Sequence, residues 1–143
     1  MRAYKTQMEA AKKGIVTPEM EVVCQKENMA TDILLGRVAK GEIAIPANIN
    51  HTECEPMIIG KHFSVKVNAN IGASSLSSGF DEEIKKLRLS LKFGADTVMD
   101  LSTGIDDLGG LRSAILRASP VPIGTVPVYE ALDRAHGDVN LLT

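Results

Sequence analysis

The sequence predicts an α/β fold in which a small helical N-terminal region precedes a parallel sheet of three strands. Two observations carry that expectation. Residues 1–61 read as short capped helices with one short strand and a connecting loop. Residues 62–143 switch to strand-like runs alternating with amphipathic helices, an order that calls for parallel pairing through helical crossovers.

The helices of the first part are marked by their ends. Thr6 to Lys13 is a helical stretch, with Gly14 placed to stop it. At Thr17-Pro18 a hydroxyl can cap free N–H groups, and proline fits the first helical position because its missing N–H costs nothing there. Met20, Val23 and Cys24 then share one face at helical spacing. A third helix is expected from Thr31 or Asp32 to Lys40, ended by Gly41. Glu42 to Ile45 alternates like a strand before Pro46, and residues 47–61 show no clean period and read as a loop.

In the second part, Phe63 to Asn70 reads as a strand running into a loop with Gly72, Ser74, Ser75, Ser77 and Ser78. Asp81 to Phe93 reads as a helix with Ile84, Leu87 and Leu91 on its apolar face. Its opening Asp81-Glu82-Glu83 suits the positive end of the helix dipole, and Lys85, Lys86 and Arg88 are expected on its solvated face. Asp96 to Leu101 reads as the second strand. Leu108, Leu111 and Ile115 mark another helix, weakened by Gly109 and Gly110 at about 1 kcal/mol each. Val121 to Tyr129 reads as a third strand-like segment, irregular or at a sheet edge because Pro122 and Pro127 remove ladder donors.

Composition narrows the function classes. Of 143 residues, 44% are hydrophobic and 24% charged, with a net charge of −2, so there is no basic surplus for nucleic acid. Aromatics make up 3%, which leaves little surface for stacking bases. The opening residues hold no apolar run of signal-peptide or membrane-span type, and a cytoplasmic, reducing location is expected. Cys24 and Cys54 are too few for a disulfide scaffold. His51 and Cys54 lie three apart but lack further ligands nearby for zinc. No P-loop, Gly-x-Gly-x-x-Gly or Gly-x-Ser-x-Gly pattern occurs.

Ligands of parallel α/β folds bind where the carboxyl ends of the strands and their loops converge. Those ends offer Asn68 and Asn70, then Met99, Asp100, Ser102 and Thr103, then Thr125 and Tyr129. Asn68 and Asn70 face the same way, with Ala69 opposite, and two adjacent amides suit a heterocycle or a sugar hydroxyl. Each also has a plainer role: Asn in a turn, Met99 as core filler, Asp100 bracing a loop, Tyr129 at a core edge.

Longer strings carry more than their periodicity. Gly14 to Glu21, Ile45 to His51, Glu55 to Gly60, Val67 to Gly72, Gly94 to Gly104 and Ser119 to Pro127 resemble, in order, the landmarks of the phosphomethylpyrimidine synthase family of thiamine biosynthesis. The resemblance implies a partial TIM-type (β/α) barrel, its first three strands, behind the helical region. The family converts 5-aminoimidazole ribotide to 4-amino-5-hydroxymethyl-2-methylpyrimidine phosphate. It uses S-adenosylmethionine, a [4Fe-4S] cluster and zinc, and forms homodimers. By motif match, the resemblance implies Asn70, Met99 and Tyr129 as substrate-binding residues: Asn70 would hydrogen-bond the ribotide, Met99 would pack on it, and Tyr129 would supply a ring and a hydroxyl.

Departures matter equally. The family's Cys-x-x-Cys-x-x-x-x-Cys cluster motif, zinc-ligating histidines, and Ser-Arg-Gly and Asp-Gly-Leu-Arg substrate segments have no counterpart here. Neither Cys24 nor Cys54 falls where the family has cluster ligands. The stretch Ile105 to Gly110 is one residue longer than the family pattern, with glycines where helix formers are usual. The expectation is a piece of the synthase that is inactive alone, binds no cofactor, and is prone to self-association through an uncovered sheet. Two further readings share the same residues: a 5-hydroxybenzimidazole synthase of the cobalamin branch, and a non-catalytic ribotide-binding or assembly module.

Overall fold

A computed structural model describes residues 3–74, 76 and 79–142; the expected loop positions Ser75, Ser77 and Ser78 lie outside the described residues. The chain forms two compact units. One comprises Met1–Asn50 with Cys54–Val65, the other His51–Glu53 with Lys66–Thr143.

In the first unit, α1 (Gln7–Lys12) starts at Thr6, whose hydroxyl accepts from the Glu9 N–H, and Gly14 follows its end at φ 69°. α2 (Pro18–Glu27) starts at Thr17, fully buried, whose Oγ1 accepts from the Met20 N–H at 3.1 Å and donates to Gln7 Oε1 at 2.6 Å. α3 (Thr31–Lys40) ends on Gly41 at φ 74°, in the left-handed conformation that glycine adopts without a Cβ clash. Met20 and Val23 join Ala10, Leu34, Val38, Ile43 and Ile58 in the core, with Cys24 packed at its edge. Residues 47–61 are not loop throughout. β1 (Ile43–Ala44) pairs antiparallel with β2 (Ile59–Gly60), a partner far along the chain that local periodicity does not reveal. Removing the buried cap with Thr17→Ala also strips Gln7 of its donor. It is expected to lower stability by about 1–2 kcal/mol, read as an earlier urea midpoint in far-ultraviolet circular dichroism.

The second unit runs β3 (Asn68–Ile71), α4 (Phe80–Lys92), β4 (Thr97–Asp100), α5 (Leu108–Ala118), β5 (Ile123–Thr125) and α6 (Pro127–Arg134), then a 3-10 turn over Val139–Leu141. The three strands are parallel in the order β3-β4-β5, so the mixed α/β class and the parallel sheet are as expected. β3 is shorter than Phe63 to Asn70: regular pairing begins opposite Thr97, and the Asp96 carboxylate accepts the Val67 N–H at 2.7 Å. Ile71, Leu87, Val98, Leu111 and Ile115 pack between the sheet and α4 and α5.

One helical detail departs from expectation. Lys86 is not merely solvated: its Nζ lies 2.6 Å from the buried Glu83 carboxylate and donates to the Gly72 carbonyl at 3.2 Å. The glycines of α5 do not prevent it from forming. Asp107 caps it by accepting the Gly110 N–H at 2.9 Å, and a Cβ on Gly110 would stand 2.1 Å from that carboxylate. Gly110 thus makes room for the cap. Among the described residues, no helix is long and apolar enough to cross a membrane.

Candidate functional site

Alternation along β3 and β4 sorts the sheet into two faces. Ile71, Val98 and Asp100 are buried on the helix side, whereas Asn68 and Asn70 are exposed on the other. Register places Asn70 opposite Met99, and Met99 opposite Gly124, so these three residues form one row across the sheet. The amides are ordered by a short relay. Thr97 Oγ1 donates to Asn68 Oδ1 at 2.9 Å, and Asn68 Nδ2 donates to Asn70 Oδ1 at 2.9 Å. With its oxygen accepting, Asn70 presents its –NH2 as the donating end, suited to a ring nitrogen or a ribose oxygen.

Gly124 was not anticipated. A Cβ there would lie 3.1 Å from Met99 Sδ and 3.2 Å from its Cε, so the thioether rests across the bare backbone of β5. The available signal was a glycine inside a strand, which marks a close approach by another group. Gly72 has a similar role at the end of β3, where a Cβ would meet the Leu101 carbonyl carbon at 3.0 Å.

Tyr129 is not on a strand. β5 stops at Thr125, and Pro127 opens α6, where its fixed φ and missing N–H are an advantage. The proline taken as a mark of an irregular strand instead starts a helix. Tyr129 is in the first turn of α6, 48% exposed, and lines an open cavity of about 560 Å³ with Thr103, Leu132, Asp133, His136 and Gly137. The structure therefore brings Asn70 and Met99 together on the sheet face, while Tyr129 stands beside the loop that follows β4.

That loop is held by charge. Asp100, fully buried, accepts from the Ser102 N–H at 2.9 Å and from the Ser102 hydroxyl, whose oxygen accepts the Ala73 N–H at 3.0 Å. Arg112 Nε donates to the other Asp100 oxygen at 3.3 Å, and Arg112 Nη1 donates to Glu130, which Arg134 also contacts. Asp133 Oδ2 accepts the Gly104 N–H at 3.3 Å. Asp100 thus braces the loop, the plainer of its two readings. Arg112, unremarked in the sequence, is the hub.

Hydrogen bonds from Arg112 and then Arg134 hold the Glu130 carboxyl below the usual glutamate range. A depressed folded value adds stability above the unfolded pKa, and acid removes it. Anchoring of α6 is therefore expected to be full above about pH 4.3 and to fade as pH falls through the lower folded value. An acid titration of the near-ultraviolet tyrosine signal checks this; a signal that fades instead as pH rises from neutrality would contradict it.

The family model of the radical SAM ThiC family matches residues 6–143. The chain belongs to this family. Its assignment at family level is therefore synthesis of the thiamine pyrimidine from a small-molecule substrate. Radical SAM chemistry implies S-adenosylmethionine and an iron–sulfur cluster for the full-length protein. The residues of this chain do not fit that cluster. Clusters are held by sets of Cys thiolates, and the sequence has two cysteines. Cys24 packs against the first unit's core, and the Cys54 thiol, raised above the usual cysteine range by burial, donates to the Glu55 carbonyl at 3.7 Å. Among the described residues, no group of three or more His, Cys, Asp or Glu is arranged to hold a metal ion. His51, the weak zinc candidate, is buried, with Nε2 2.7 Å from the Ser119 carbonyl oxygen.

Proposed function

We propose that this chain supplies the ribotide-facing strands of a phosphomethylpyrimidine synthase, with β3 to β5 as the first three strands of a (β/α) barrel. Asn70 donates to 5-aminoimidazole ribotide, Met99 packs on it, and Tyr129 approaches from α6. The observation that carries this reading is the Asn70–Met99–Gly124 row, with its amides already oriented by Thr97 and Asn68. Such preorganisation spares the entropy of ordering donors on binding.

The chain alone does not cleave S-adenosylmethionine, because two thiols used elsewhere cannot hold a cluster. Reconstitution with iron, sulfide and reductant is expected to yield no 5′-deoxyadenosine. Calorimetry with the ribotide is expected to show binding that weakens about tenfold in Asn70→Ala, the size of one lost hydrogen bond. Gly124→Val should weaken it too, by pushing the Met99 thioether off its seat. No heat from the unaltered chain, or equal heat from Asn70→Ala, would overturn the substrate assignment.

A further inference from the structure

Arg112 lies on α5, which carries none of the three side chains assigned to the ribotide. Its guanidinium nevertheless joins the residues next to two of them. Nε donates at 3.3 Å to Asp100, which follows Met99 on β4, and Nη1 donates to Glu130, which follows Tyr129 on α6. The Asp100 end is fixed, since both Ser102 donors hold its other oxygen, and Ser102 in turn receives the Ala73 N–H from the loop after β3. The side chains are 19% exposed at Arg112, 0% at Asp100 and 24% at Glu130, so solvent screens the α6 arm only partly.

We infer that Arg112 is a positioning residue, setting the helix that bears Tyr129 against the strand that bears Met99. Its functional meaning rests on the ribotide reading; its geometry does not. A planar guanidinium offers donors in fixed directions and serves both carboxylates at once, whereas a lysine ammonium is a single flexible point charge. Arg112→Lys therefore keeps a cation beside Asp100 and lets α6 drift.

Amide hydrogen exchange on the whole chain tests this, with Tyr4→Phe as the background so that Tyr129 is the one tyrosine observed. In Glu130→Ala, exchange across residues 128–134 is expected to rise about three- to fivefold, the range of a partly exposed ion pair. The Tyr129 ring resonances shift, and the amides of Val98, Leu111 and Ile115 hold. Arg134→Ala removes only the pair internal to α6 and sets the baseline that Glu130→Ala must exceed. Arg112→Lys should reproduce the α6 change with the sheet intact. Equal exchange in Glu130→Ala and Arg134→Ala, or a uniform rise throughout the unit, overturns the inference. Ribotide calorimetry on the same variants is a separate readout. Absence of heat in the parent chain defeats the ribotide reading, while the exchange data still decide what Arg112 does.

Discussion

Arg112→Met is expected to destabilise the second unit by about 3–5 kcal/mol, the cost of leaving a buried charge without its partner. Asp100 is fully buried, and the two Ser102 donors that would remain are neutral. Desolvation of the carboxylate would then be offset only by hydrogen bonds. The same change leaves Glu130 with Arg134 alone, but that arm is more exposed and adds less. A double variant separates charge from packing. Asp100→Asn with Arg112→Met removes both charges while retaining an acceptor for Ser102, and it should recover part of the loss. Urea unfolding of the single and double variants decides the matter. If Arg112→Met unfolds at the parent midpoint, the ion pair does not carry the loop. If the double variant is no better than the single one, the loss comes from packing of the arginine stem.

Several features were legible because they are local. Thr17, Gly14 and Gly41 mark helix ends by groups that act within four residues, and all three behave as their chemistry requires. The shared face of Asn68 and Asn70 follows from strand alternation, and the hydrogen bond between them confirms it. What escaped was set by partners distant in sequence. β2 exists because Ile59 and Gly60 find β1, and Lys86 reaches back to the Gly72 carbonyl, 14 residues away. A proline that cannot continue a strand also suits the start of a helix, so Pro127 alone could not say which side of that boundary Tyr129 occupies. Arg112 escaped because its partners lie 12 and 18 residues away. No periodicity argument pairs a helix arginine with a strand-end aspartate.

Leu111→Ala is the second large effect expected, and it bears on how the chain is divided. Leu111 is fully buried on α5, packed with Leu87, Val98 and Ile115. Truncation removes transfer energy and leaves a cavity that rigid neighbours fill only partly, costing about 2–5 kcal/mol. A unit of this size has about 4–12 kcal/mol in total at ordinary stability per residue, and an open sheet face draws it toward the lower end. One side chain therefore carries a large share of the margin. The first unit's core, around Met20, Leu34 and Val38, has no residue in common with this one. Methyl NMR during urea unfolding should consequently show Val98 and Ile115 of the variant losing their native shifts at lower denaturant than in the parent, while Leu34 and Val38 melt where they did before. A common downward shift of all four would mean that the two cores unfold as one cooperative body. An unchanged midpoint for Val98 and Ile115 would mean that the site around Leu111 collapses without cost, which the dense packing against α4 and the sheet makes the least consistent outcome.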